Sequence, residues 1–232
     1  MDIRNLPEAE KNLYNTLKKR YSLHFESIRF GKYTIRLLRT SDLEELLKGQ
    51  DPFGDVSVFP FWSQLWDASV VLAHILAAVS ARQGARLLEL GAGLGVSGLV
   101  GAAAGFDVLL SDTKEVSLDF QRVSVAANGF SNVESLLWDW DNPPKPGSFD
   151  VIAGSEILSR EEIVAPFLDI CKNNLETEGT IYLAHDVKRK CLPLFLRQAE
   201  KDFTIGTQKH RLSRNGQKVE VLVNMLKSRK KE

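Results

Sequence analysis

Glu89, Gly91, Gly93, Gly95 and Asp112 are the residues whose types and spacing point most directly to chemistry. They lie in "LLELGAGLGVSG" at 87–98 and at the end of "FDVLLSD" at 106–112. An apolar run ends in an acid, and three glycines follow at every second position. Without a Cβ, glycine takes tight turns and lets a ligand come against the backbone. A helix that begins just beyond such a turn aims its free amides at the same place. An acid at the end of the next strand suits the two hydroxyls of a ribose. Taken alone, the glycines would serve a close strand–helix turn just as well. The combination with Glu89, Asp112 and the strand–helix order carries the reading.

Two ligand classes fit such a loop. A dinucleotide fingerprint runs G-x-G-x-x-G, with glycines that let the backbone cradle a pyrophosphate. Here Gly91 and Gly93 match, but the last glycine position holds Val96, and the spacing is G-x-G-x-G. That spacing points to a nucleoside ligand with an uncharged or cationic linkage, of which S-adenosylmethionine is the obvious case. A dinucleotide oxidoreductase is the weakest alternative.

The elements that must hold these residues follow from periodicity. Buried strands are expected at 86–90, 106–112, 132–137, 149–155 and 179–185. They alternate with helices over 67–81, 94–104, up to the stop at Asn128-Gly129, 160–174 and 188–201. Alternation of strand and helix implies a mostly parallel sheet with helices on both faces. "FTIGTQKHRL" and "QKVEVLVNML" read as a closing hairpin about a turn at Asn215-Gly216, which adds an antiparallel strand. The fold class is therefore α/β, a Rossmann-like, seven-stranded, mostly parallel sheet with a C-terminal antiparallel hairpin. Ahead of it, residues 7–20 form a helix pattern, and "LHFESIRFGKYTIRLL" alternates about Gly31-Lys32 as a hairpin. Residues 1–57 are expected to be an N-terminal extension, and 58–232 the ligand-binding domain.

Composition narrows the partners. Thirty basic and thirty acidic residues cancel, so no global field draws the chain to nucleic acid or to an anionic membrane. The run "KSRKKE" at the end reads as a solvated terminus. Neither the polar N-terminus nor "SVVLAHILAAV" at 69–79 has the length and apolarity of a signal peptide or a membrane span. Cys171 and Cys191 are too few and too far apart for a zinc site or a disulfide framework, and the four histidines lack ligand spacing. A cytoplasmic, metal-free protein is expected.

With these residues in view, a resemblance emerges. "PFWSQLWDASVVLAHIL", "RLLELGAGLGVSGLVGAAAGFDVLLSD", "WDW" and "FDVIAGSEIL" together resemble the class I, seven-β-strand methyltransferases. More narrowly, they are similar to the methyltransferase-like group of protein lysine methyltransferases, over roughly residues 58–190. The resemblance implies S-adenosyl-L-methionine as cofactor and a protein substrate. It implies that Glu89 helps hold the methionine end, that Gly91 and Gly93 line it by backbone, and that Asp112 takes the ribose hydroxyls. Asp139 and Trp140 would lie by the adenine, Trp66 near the cofactor at the mouth, and Ser155 against the cofactor at the fourth strand's end. Trp62 is expected in the core or at the rim, and His185 in a structural place.

The same resemblance implies a catalytic role for Glu156. The group carries an acid-x-x-aromatic motif after the fourth strand, and this chain has "EILS", with Ser159 in place of the aromatic. Glu156 also suits the start of a helix, where the dipole favours an acid. Ser159 leaves a small-molecule methyltransferase open, and a non-catalytic S-adenosylmethionine-binding module is the alternative outside enzymes.

Overall fold

The protein is described by a computed structural model covering residues 3–214 and 217–229. Seven strands form the main sheet: β3 (Arg86–Leu90), β4 (Asp107–Asp112), β5 (Val133–Leu137), β6 (Phe149–Ser155), β7 (Leu175–Asp186), β8 (Phe203–Arg214) and β9 (Gln217–Ser228). They stand side by side as β5-β4-β3-β6-β7-β9-β8. The first five in this order are parallel, and β9 is antiparallel to both its neighbours. The chain steps outward from β3 to β4 to β5, then returns to lay β6 on the other side of β3. That reversal opens a crevice at the carboxyl ends of β3 and β6, where ligands bind in open α/β sheets.

Strand side chains alternate between the two faces. Leu87, Val151 and Ala153 join the core beneath α3 (Asp67–Ala78) and α4 (Val96–Ala103). Leu88, Leu90 and Ile152 join the core beneath α6 (Val164–Asn174) and α7 (Leu192–Ala199). Both faces are covered, which explains why the strands read as nearly continuous apolar runs. The seven-stranded α/β sheet with its closing antiparallel pair agrees with the sequence reading. The turn at Asn215-Gly216 lies outside the described residues.

At the N-terminus, α1 (Glu8–Lys18) precedes the hairpin of β1 (Leu23–Phe30) and β2 (Tyr33–Thr40), and α2 (Leu43–Leu47) follows. Tyr14, Leu17, Phe30, Ile35 and Leu37 share a core with Val96, Leu99 and Phe120, so this layer rests on α4 and α5 (Glu115–Asn128). The outer edge of β2 is met by side chains of α5. Asn128 accepts from the Arg36 N–H at 2.8 Å and donates to its carbonyl at 2.7 Å. The Ser124 hydroxyl accepts from the Leu38 N–H at 2.9 Å. These bonds occupy an edge that would otherwise offer unpaired groups.

Several boundaries differ from expectation: α3 ends at Ala78 rather than 81, and α6 begins at Val164 rather than 160, after a 3-10 turn over Glu161–Ile163. Strand β7 starts at Leu175 rather than 179, directly out of α6. Helix α7 runs over Leu192–Ala199, shorter than 188–201. Pro193 lies in its first turn, where a missing N–H costs nothing. The residues before it form a turn that carries Arg189 back toward the end of β6.

Candidate active site

The glycine loop joins β3 to α4. Gly91, Gly93 and Gly95 all have positive φ, at 61°, 55° and 77°. Gly93 shows why no other residue fits. Besides its left-handed backbone, a Cβ there would lie 2.9 Å from the Trp62 carbonyl oxygen, which is backbone and cannot swing aside. The loop is tied down at several points. The Gly93 N–H donates to Asp112 Oδ2 at 2.8 Å. Its carbonyl accepts from the Ser117 hydroxyl at 2.6 Å and from Gln121 Nε2 at 2.8 Å.

Glu89 lies under this loop, 1% exposed. Its Oε2 accepts from the Gly98 N–H in the first turn of α4 at 2.7 Å. Burial pushes its carboxyl up to about 7, and hydrogen bonds from Gly98 and Ser97 offset only part of that rise. Asp112 ends β4 and is also buried. Besides Gly93 it accepts from the Lys114 N–H at 3.0 Å. Burial raises its pKa, and the backbone donors around it lower it again.

Asp139 and Trp140 follow β5. The Trp138 N–H donates to the Asp112 carbonyl at 2.9 Å, which anchors this loop beside the end of β4. Asp139 is exposed and accepts from the Asp141 N–H at 3.0 Å. Trp140 rests on Phe167 of α6, ring centres 5.8 Å apart. Trp62 packs edge-on against Phe120 at 5.1 Å, in the rim of the α4–α5 core.

A cleft of about 500 Å³ opens at the ends of β6 and β7. Trp66, Glu156 and Ser159 line it together with Asp67, Asp186, Lys188 and Arg189. Trp66 Nε1 donates to the Phe61 carbonyl at 3.0 Å, and the two rings stack at 6.1 Å. Ser155 is the last residue of β6 and pairs with Ala184. Glu156 comes next and has a left-handed backbone, φ 57°, uncommon outside glycine and found where a site demands it. Its N–H donates to the Ala184 carbonyl at 2.9 Å. The bend then folds the side chain back, so that Oε1 accepts from the Asp186 N–H at 2.7 Å. The carboxylate thus stands in for the next backbone carbonyl of the β6–β7 ladder. Its other oxygen pairs with the Arg189 guanidinium.

Ile157 joins the two halves. A Cβ on Gly91 would lie 2.8 Å from its Cγ2, so the turn after Glu156 rests on the glycine loop. His185, at the end of β7, is 1% exposed, and burial pushes its pKa down to about 4. Among the described residues no group of His, Cys, Asp and Glu is arranged to hold a metal, and no helix is long and apolar enough to cross a membrane.

Sequence reasoning did not single out Ser117, Gln121 or Arg189. The first two had a legible signal. Ser117, Gln121 and Ser124 recur at helical spacing on the inner face of α5, all fully buried. Polar residues on a buried stripe need partners, and two of these serve the glycine loop. Arg189 had no local signal.

This architecture, with its glycine loop at the switch point, defines the class I S-adenosylmethionine-dependent methyltransferase fold. A solved S-adenosylmethionine-dependent methyltransferase from Agrobacterium tumefaciens superposes with a TM-score of 0.63 at 14% identity, over 90% of this chain and 71% of that one. The profile of the lysine methyltransferase family matches residues 61–209, and the chain belongs to that family. It is similar to the mouse protein N-lysine methyltransferase METTL21A, 34% identical over 164 residues, spanning 62% of this chain and 72% of the mouse protein. It is also similar to the mouse EEF1A lysine methyltransferase 3, 29% identical over 167 residues, spanning 64% and 72%.

Proposed function

We propose that the protein moves the methyl group of S-adenosylmethionine onto the side-chain amine of a lysine in a protein substrate, with Glu156 at the acceptor. The observation that carries this reading is the junction at Ile157. It sets a carboxylate on a left-handed bend directly beside a loop with glycine at every second position.

The residues fit the cofactor. A carboxylate offers about four acceptor positions. Asp112 is held in place by the Gly93 and Lys114 amides, and its carboxylate at the end of β4 is the acceptor for a ribose diol. Gly91 and Gly93, packed closely under Ile157 and the Trp62 carbonyl, shape the turn whose backbone lines the methionine end. Glu89, expected at the methionine end, is 1% exposed beneath the loop and acts there instead as a positioning residue, holding the first turn of α4 so that the loop keeps its shape. Asp139 and Trp140 serve the adenine side, Ser155 the cofactor at the end of β6, and Trp66 the mouth. Residues 1–57 act as a cover on the 58–232 domain. Cys171 and Cys191 are both buried and unpaired, which suits a reducing cytoplasmic setting.

When bound, S-adenosylmethionine supplies a methyl group already activated by its sulfonium. The chain has to align the amine and keep water away. A free lysine carries its proton up to a pKa of about 10.4. Glu156 receives the ammonium, orients it, and accepts a hydrogen bond from the nitrogen while one proton leaves to solvent.

The test begins with melting in S-adenosylhomocysteine and in NAD, where only the first should stabilise. Labelled methyl from S-adenosylmethionine should then appear on protein in a cell extract. Glu156→Gln should keep cofactor affinity and lower turnover by about 10²-fold, the lower end of acid–base contributions. Label on small molecules alone would overturn the protein substrate. Full turnover in Glu156→Gln would reduce Glu156 to a structural bend.

A further inference from the structure

Glu156 has no open side in this arrangement. One oxygen accepts from Asp186, the other pairs with Arg189, and the side chain is only 12% exposed. Arg189 comes from the turn between β7 and α7, fixed by its N–H donating to the Asp186 carbonyl at 3.0 Å. Its side chain is 26% exposed and lines the same cleft as Trp66 and Ser159. Arg189 Nε is buried without a hydrogen-bond partner. That guanidinium is therefore held through its terminal nitrogen on Glu156, with no second anchor in the described contacts of its head. A long, cationic side chain bound end-on to a carboxylate at the cleft has the chemistry expected of an acceptor lysine.

We propose that Arg189 is a resident stand-in for the substrate, occupying the acceptor place on Glu156 until a lysine displaces it. This rests on the reading of Glu156 as the acceptor carboxylate. Exchange of one cation for another leaves the charge on Glu156 balanced, so the carboxylate is never buried unpaired, which would be costly. Arg189 is a far poorer methyl acceptor than an amine, because its guanidinium stays protonated and its nitrogen lone pairs are delocalised. It closes the cleft without being consumed. Occupancy also sets affinity: a site filled by its own side chain about nine-tenths of the time binds a competitor about tenfold more weakly. Arg189 thus selects acceptors whose surroundings supply enough contact to evict it, and free lysine or an isolated amine fails.

Arg189→Lys gives a direct test. The substitution puts an amine on Glu156 in place of a guanidinium. In S-adenosylmethionine the nitrogen lone pair forms the N–C bond. The C–S bond breaks with its electron pair left on sulfur, giving the neutral thioether, and the proton goes to solvent. The purified variant should gain the mass of a methyl group, mapped to position 189, at a rate independent of protein concentration. The wild type should gain none there. A second readout needs no turnover. With S-adenosylhomocysteine bound, n-butylammonium, which mimics a lysine side chain, should raise the melting temperature of Arg189→Ala at concentrations at least about tenfold below those needed for the wild type. Glu156→Gln combined with Arg189→Ala should abolish that response. Equal response of wild type and Arg189→Ala, or an unmodified Arg189→Lys that still methylates protein in extract, would overturn the inference. Failure of the wild type to bind S-adenosylhomocysteine would instead overturn the function on which it rests.

Discussion

The glycine-loop half of the site and the Glu156 half solve different problems with different materials. The first is made almost wholly of backbone and buried carboxylates. Gly93 is held through both its N–H and its carbonyl, and Glu89 and Asp112 are satisfied by backbone amides. Such a cradle is pre-formed, as recognition of an invariant ligand favours. The second half joins the ends of two strands through one side chain in a strained bend and closes with an ion pair at the surface of a cleft. A pair made by two side chains can exchange one cation for another without moving backbone. The cofactor, the same at every turnover, meets rigid backbone. The substrate, which must enter and leave, meets side chains that can be displaced.

If that contrast holds, the largest effect comes from Gly93→Val. The added side chain meets the Trp62 carbonyl and needs a backbone angle that a β-branched residue avoids. Titration with S-adenosylhomocysteine should show binding lost, with a lowered melting temperature. Normal affinity would mean that the loop is adjustable after all. Asp112→Ala comes next. It removes the ribose acceptor and also frees the Gly93 and Lys114 amides. At about 1.5–3 kcal/mol for each charged hydrogen bond, cofactor affinity should fall at least about hundredfold in a protein that still folds.

The buried carboxylate beneath the loop has its own signature. Glu89 has a folded pKa raised from 4.5 to about 7, so the folded state holds the proton more tightly. The stability this gives is complete below 4.5 and disappears as pH rises through about 7, on the order of 3 kcal/mol. His185 acts in the opposite sense. Its folded pKa is lowered from 6.5 to about 4, so its contribution is present above 6.5 and disappears as pH falls through about 4. Denaturant unfolding of wild type and Glu89→Gln should therefore diverge between pH 4.5 and 7: up to pH 6.5 the variant should gain stability through His185, while in the wild type the loss from Glu89 offsets that gain. Below pH 6.5 both should share the acid-side loss from His185. Parallel curves would show that Glu89 is not buried as an acid.

The smallest effect on the cofactor should come from Ser159→Tyr, which restores the aromatic of the family motif in the cleft. Substrate preference should change severalfold while S-adenosylhomocysteine affinity stays level. A change in cofactor affinity instead would mean that the two halves are not separable.

The amino-acid sequence by itself determined the order of strands and helices, the glycine loop, and the acids at the ends of β3, β4 and β6. Each depends on a few neighbouring residues: alternation or helical spacing sets the element, and glycine sets the turn. Even the polar stripe Ser117, Gln121 and Ser124 was legible as a pattern on one helix face. What only the tertiary structure decided is which of these groups meet. Glu89 supports the loop from below because β3 enters α4 so closely that its carboxylate reaches the Gly98 amide. Arg189 reaches Glu156 because β6 and β7 end side by side and the turn before Pro193 doubles back, which also shortened α7. Such a contact joins residues far apart in the chain through where two strand ends come to rest. No local pattern encodes that, since the position of each end is set by the packing of the whole sheet against its helices.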